Sequence, residues 1–291
     1  MDNLKDKISL LIYTSKNYVP ISKLCVDEFN NYAKQLTCDK FVVSNEFNNN
    51  EHLFNNTGFN LISANVEYSK ESRHYTKTLM QGLKQLKTKY VLLWYDDYLL
   101  INELKVSNLN KLINIIESNN IDHFSFMSYS YEWEKLNINY NDYGLPDNLI
   151  NKIDNSYFYR FSIQPTIWRI DKLMELLSFN LNISLHEMDC SIIHNKKGKS
   201  RHNTNHIDNF WNDDDDFWDI NIQSFCFSKN ELVNNYAFDE GDKDSDYLFF
   251  KYSEVIRGGK FNFHTHNNNR KYIENYLIDK VKDNKLYKEF L

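Results

Sequence analysis

The chain has 291 residues, 42% of them hydrophobic and 15% aromatic, with a formal net charge of −6. That composition supports a sizeable core, excludes a disordered polypeptide and gives no electrostatic footprint for nucleic acid. With only 7 Gly and 3 Pro, the chain has no Gly-rich phosphate loop, which argues against P-loop and dinucleotide-fingerprint enzymes. The four cysteines, Cys25, Cys38, Cys190 and Cys226, are widely spaced and form no CxxC. They read as reduced thiols of a cytoplasmic protein, not as a disulfide framework or zinc site. No apolar run is long enough for a signal peptide or a membrane span.

Ile8 to Tyr13 reads as a first strand, followed by the polar turn Thr14-Ser15-Lys16-Asn17. Leu24, Cys25, Phe29, Tyr32, Ala33 and Leu36 recur at three- and four-residue steps and predict a helix over 21–36. Phe41 to Ser44 is a second strand, ending at Asn45 and Glu46, and Phe59 to Ser63 a third. A helix over 69–86 follows, its apolar face carrying Tyr75, Leu79, Leu83 and Leu86, with Ser69 or Ser72 as N-cap. Arg73 and Lys77 lie four residues apart near its start, on one side.

The stretch Lys89 to Leu100 is the most informative of the chain. Six apolar or aromatic residues, Tyr90 to Tyr95, suit a strand covered on both faces, as in a parallel sheet. The strand runs straight into Asp96 and Asp97. Ligands bind at the carboxyl ends of strands in open α/β sheets. Two adjacent carboxylates there call for a cation, and hard oxygen donors suit Mn2+ or Mg2+. The plainer reading is a polar turn after a strand, where Asp is common.

Farther on, 107–117 reads as a helix, and His123 to Tyr129 and Tyr157 to Ile163 as aromatic strands. Gln164-Pro165-Thr166-Ile167-Trp168-Arg169 leads into a short helix through Leu173, Met174 and Leu177. An acidic turn, His186-Glu187-Met188-Asp189, follows, then a polar stretch with His194, His202, His206 and the run Asp213 to Asp216. Tyr252 to Phe261 reads as a late strand and turn, and the segment from Arg270 as an amphipathic helix. His264 and His266 alternate as strand residues do.

Three segments together resemble nucleotide-sugar glycosyltransferases of the GT-A type, especially a group found in bacteria and large DNA viruses. They are Ser72 to Leu100 with Asp96-Asp97-Tyr98, Ser162 to Arg169 with Glu187-Met188-Asp189, and Val255 to Lys260. The first looks like the family's Asp-x-Asp metal motif in degenerate form. The acidic turn has His186 where the family tends to have Trp.

The resemblance implies an α/β, GT-A fold with a Rossmann-like, mostly parallel central sheet flanked by helices. A nucleotide-sugar-binding half would span 1–100. A smaller acceptor-binding, catalytic half with a C-terminal helix would span 101–291, the two forming one compact unit. Thr14, Ser15, Tyr18, Asn45 and Glu46 would hold base and ribose, and Arg73 and Lys77 the phosphates. Asp96 and Asp97, with His264 as a further ligand, would hold the metal, Asp96 also touching the donor. Gln164 and Trp168 would shape the sugar or acceptor pocket, although a large aromatic such as Trp168 is as often core. Asp189 or Glu187 would be the general base of an inverting transfer, with Asp189 favoured.

The implied partners are a nucleoside-diphosphate sugar and a glycan or glycoprotein acceptor. A sugar nucleotidyltransferase is the first rival, and the Gly-free stretch Tyr13 to Tyr18 counts against it. The second is a non-catalytic carbohydrate-binding protein of the same fold.

Overall fold

A computed structural model describes residues 4–67, 74–128, 134–153, 161, 165–178, 222–227, 250, 252–254, 256–257, 260–261, 280–281 and 284–290. β1 (Ile8–Thr14) and β4 (Tyr90–Tyr95) are buried at every position. Both faces of each strand are therefore covered. That is why their sequences read as continuous apolar runs with no alternation.

Between β1 and β4 come α2 (Val19–Tyr32), β2 (Lys40–Ser44), β3 (Asn60–Ser63) and α3 (His74–Leu83), a single turn, α1 (Leu4–Lys7), preceding β1. After β4 come β5 (Tyr98–Leu100), α4 (Val106–Ser118), β6 (His123–Ser128), β7 (Ile150–Lys152), β8 (Thr166–Arg169), α5 (Ile170–Leu177) and β9 (Ser224–Phe227). The short strands β10 (Tyr252–Glu254), β11 (Ile256–Arg257) and β12 (Lys260–Phe261) follow, and three 3-10 helices, Glu51–Phe54, Tyr140–Tyr143 and Lys285–Phe290, complete the described elements.

Eight strands form one sheet in the order β3-β2-β1-β4-β8-β6-β9-β7. β1 pairs in parallel with both β2 and β4, β2 with β3, and β6 with β9. β8 runs antiparallel to β4 and β6, and β7 antiparallel to β9. Six strands thus point one way, with β8 and β7 opposed. The fold is mixed α/β with a mostly parallel central sheet, as the βα alternation predicts. β4 pairs with β8, so the sheet passes without a break across residue 100.

Helices cover both faces. Phe29 of α2 meets Trp94 edge-on, with ring centroids 4.8 Å apart. Tyr75 of α3 packs on Tyr13 at 5.0 Å, on the opposite face of the same two strands. Ile12 lies beside Trp94 and Tyr13 beside Tyr95, so successive residues along each strand feed the two layers alternately. Cys25, Cys38 and Cys226 are buried, and none of them forms a disulfide among the described residues. Among the described residues no helix is long and apolar enough to cross a membrane.

The structure refines several sequence-based boundaries. Of the helix expected over 69–86, His74–Leu83 is helical and 84–85 form a turn. Phe161, expected within a strand, sits in a turn. Thr166–Arg169, read as a lead-in to a helix, is the strand that joins β4 to β6. Most of the helix expected from Arg270 lies outside the described residues.

α3 approaches β2 closely because position 82 carries no side chain. A Cβ built on Gly82 would stand 3.1 Å from Val43 Cβ, against a strand that cannot retreat. Gly82→Leu forces α3 away from the sheet and should cost about 1–3 kcal/mol, the usual range for overpacking. Equilibrium unfolding in urea measures this, and an unchanged midpoint would refute the close approach.

Candidate active site

The two acids that close β4 sit at the point where the sheet's connectivity reverses. From β1 the chain moves to β2 on one side; it re-enters the sheet at β4, on the other side of β1. Such a switch point leaves a crevice beyond the carboxyl ends of the two central strands. Thr14 ends β1 and Asp96 follows β4, and parallel pairing puts them side by side. The Thr14 hydroxyl donates to Asp96 Oδ2. The Asp96 backbone N–H donates to the Tyr13 carbonyl at 3.2 Å, extending the ladder one step past the strand.

Asp96 and Asp97 form the turn between β4 and β5, and both are partly buried. That turn is fixed from behind. Trp94 Nε1 donates to the Tyr98 carbonyl at 2.7 Å, and the Cys25 thiol approaches the same oxygen at 3.5 Å. β5 also pairs with β10, Tyr98 opposite Glu254, so the late chain reaches the site's back. Trp94 and Cys25 are not recognisable as site residues from sequence. Their only signal is position, one just before the acid pair and one on the first helix.

Electrostatics mark Asp96 as unusual. Burial pushes its carboxyl up to about 7, against the opposing pull of the Thr14 hydroxyl and the backbone N–H groups of Asp96 and Asp97. Burial also pushes the Cys25 thiol well up, and the charges of Asp96, Asp97 and Glu28 add to the effect. The crevice therefore disfavours uncompensated negative charge, which is the condition under which a carboxylate pair takes a cation.

The loops after β1 and β2 form the adjoining wall. Asn45 is buried; its Oδ1 accepts from the Lys16 backbone N–H at 2.9 Å, and its Nδ2 lies 3.5 Å from the Val66 carbonyl. It stitches three loops together, and both ends of its amide are occupied. Ser44 donates its hydroxyl to the Glu46 carbonyl at 2.8 Å, shaping the turn that exposes Glu46. Lys16 Nζ stands 4.0 Å from the Glu46 carboxylate, so this wall pairs a cation with an acid. Sequence alone does not mark Lys16, because a lone Lys in a polar turn carries no distinguishing pattern. Ser15 and Tyr18 are partly exposed on the same loop.

Other sequence-predicted residues lie elsewhere. Thr14 is fully buried, with its hydroxyl engaged by Asp96, which makes it a positioning residue and not a surface for base or ribose. Lys77 is exposed on α3. Trp168 is 1% exposed, packed on His123 at 4.2 Å and Phe161 at 5.5 Å. Its ring belongs to the core, which corrects its placement in a sugar pocket. Arg73, Gln164, Glu187, Asp189 and His264 lie outside the described residues.

Among the described residues no three His, Cys, Asp or Glu converge as a complete metal cage. Asp96 and Asp97 nonetheless fit a hard divalent cation of the Mg2+ type. Such ions are commonly held by one or two carboxylates, with water and substrate phosphates completing the sphere.

No family model matches the chain, and no curated protein does. Several solved structures are similar at low identity. TarS from S. aureus aligns at 14% identity and TM-score 0.37, over 58% of this chain and 29% of that one. A mannosyltransferase from Pyrobaculum calidifontis, in complex with GDP-Man and Mn2+, aligns at 12% identity and TM-score 0.38, over 58% of this chain and 46% of that one. A cytidylyltransferase from Leptospira borgpetersenii aligns at 12% identity and TM-score 0.39, over 64% of this chain and 70% of that one. The chain thus spans under a third of TarS. At these TM-scores the likeness decides nothing about the site's chemistry, which stands on its own geometry.

The Asp96 shift has a sign that can be checked. Its folded pKa of about 7 lies above its ordinary 3.8, so its protonated form favours folding. That contribution is full at low pH and lost as pH rises through about 7. Without metal, Asp96→Asn should therefore melt above wild type at pH 8, the gap closing towards pH 5. Thermal denaturation across that range measures it, and a pH-independent difference would contradict the assignment.

Proposed function

We propose that the protein transfers a sugar from a nucleoside-diphosphate sugar to a hydroxyl of a glycan or glycoprotein, with Mn2+ or Mg2+ at Asp96 and Asp97. One observation carries the reading: a partly buried, charge-averse carboxyl, positioned by Thr14 and backed by a second acid, at the sheet's switch point. The metal, when bound, neutralises the diphosphate and so stabilises the departing nucleotide.

The chain's own residues do the rest. Thr14 holds Asp96 against β1, and Trp94 and Cys25 hold the turn that presents Asp97. The Lys16–Glu46 wall and Tyr18 border the crevice where base and ribose would lie. Asp189, or Glu187 beside it, takes the proton from the acceptor hydroxyl. That oxygen bonds to the anomeric carbon as the bond from this carbon to the diphosphate breaks. Attack opposite the leaving group inverts the configuration, and the nucleoside diphosphate departs. A nucleotidyltransferase at the same crevice would instead release pyrophosphate, which a product assay separates.

A thermal-shift screen of UDP-, GDP- and TDP-sugars, with and without Mn2+, tests donor binding. A ligand at about 100 times its Kd stabilises the folded state by about 2.7 kcal/mol. In a chain of this size that should raise the melting temperature by roughly 5–10 °C. Asp96→Ala and Asp97→Ala should each remove the Mn2+-dependent part of the shift. Absence of a shift with every nucleotide, in both conditions, would overturn the donor reading.

The base has its own test. Asp189→Asn should abolish transfer and leave the donor-induced shift intact. Loss of transfer on Glu187→Gln, with Asp189→Asn active, would move the role to Glu187.

A further inference from the structure

Residues 280–281 and 284–290 are far from the site in sequence, yet they pack along α2, the helix that follows the β1 loop. Lys280 Nζ lies 3.1 Å from Glu28 Oε1, across 252 positions of chain. Glu28 is fully buried, and its Oε2 has no hydrogen-bond partner among the described residues. A carboxylate in that environment is strongly unfavourable without a cation. The segment that packs over α2 brings that cation.

The contact then continues towards the start of the helix. Val281 and Tyr287 are buried, and Asp27 and Glu28 add to the burial that holds the Tyr287 phenol well above its ordinary range. Phe290 is 4% exposed, and its ring lies 5.9 Å from that of Tyr18, tilted by 35°. Tyr18 is the N-cap of α2, ten positions before Glu28. At 1.5 Å per residue that is about 15 Å of helix. Lys280 and Phe290 therefore engage α2 at the two ends of this span.

Tyr18 is held in its backbone as well. Its N–H donates to the Ser15 carbonyl at 2.8 Å, and its own carbonyl accepts from the Ser22 N–H at 3.0 Å. Those bonds fix the main chain, and the Phe290 ring is an aromatic neighbour of the Tyr18 side chain.

We propose that residues 284–290, anchored with Lys280 on α2, act as a strap that completes the donor site, with Phe290 as a positioning residue that fixes the Tyr18 ring at the crevice. The proposal rests on the donor-site reading above. Phe290 does not touch the nucleotide. It holds an aromatic face in the orientation that a base would stack on, at low entropic cost to binding.

The test compares Phe290→Leu, which keeps apolar volume and loses the ring, with Phe290→Tyr, which keeps the ring. Two quantities are measured on the full chain. One is the Kd for the nucleotide-sugar found in the screen, in Mn2+. The other is amide hydrogen exchange over residues 16–19. Phe290→Leu should weaken the Kd about tenfold and speed exchange over 16–19, and Phe290→Tyr should match wild type in both. Wild-type affinity in Phe290→Leu would overturn the strap, as would equal weakening in both variants, since that marks a general effect on the fold. If wild type binds no nucleotide, the donor reading fails and exchange alone decides the strap. Faster exchange over 16–19 in Phe290→Leu alone supports it, and unchanged exchange refutes it.

Discussion

The parallel register between β1 and β4 sets the geometry of the whole carboxyl edge. Ile12 lies beside Trp94 and Tyr13 beside Tyr95, with both strands buried on both faces. A slip of one residue would send Trp94 to the face occupied by Tyr75 and Tyr95 to the face occupied by Phe29. Those rings fit one arrangement, so the register is locked by packing. With it locked, Thr14 has to stand beside Asp96. The contact at the crevice is thus a consequence of core packing several residues away.

That arrangement is costly to the fold in isolation. An acid at the end of a buried strand loses solvation, and the rise of its pKa to about 7 follows from that loss. The Thr14 hydroxyl and two backbone N–H groups offset part of it. Trp94 and Cys25 converge on the Tyr98 carbonyl and stop the turn from relaxing outward into water. A turn built only for stability would release Asp96 to solvent. Keeping it inward suits the proposed role as a cation ligand, in keeping with the trade of stability for function at binding sites. Similar logic applies behind the site, where buried Glu28 is tied to Lys280.

Much of this architecture was legible from the chain. The run Tyr90 to Tyr95 announces a doubly covered strand, and its bounds match β4 residue for residue. The apolar spacing of Leu24, Cys25 and Phe29 and of Tyr75, Leu79 and Leu83 marks the buried faces of α2 and α3. Four-residue β8 was not legible, because Thr166 to Arg169 is too short for a periodic signal and its antiparallel direction is set by long-range pairing. The same limit applies at the site. Thr14 and Asp96 are 82 positions apart, so their bond exists only once the sheet is assembled. Trp168 shows the converse. Sequence gives a large aromatic with two plausible roles, and only its burial against His123 and Phe161 places it in the core.

The central claim is that Thr14 and the strand ends hold Asp96 as a metal-binding carboxylate for a diphosphate. The most direct measurement is a Mn2+ titration followed by electron paramagnetic resonance, with UDP or GDP present, on wild type, Thr14→Val and Asp96→Asn. One Mn2+ should bind wild type more tightly with nucleotide than without. Thr14→Val should weaken that binding about tenfold, as expected for the loss of a charge-assisted hydrogen bond of about 1.5 kcal/mol, and Asp96→Asn should abolish it. Equal Mn2+ affinity in wild type and Asp96→Asn, with nucleotide present, would contradict the account.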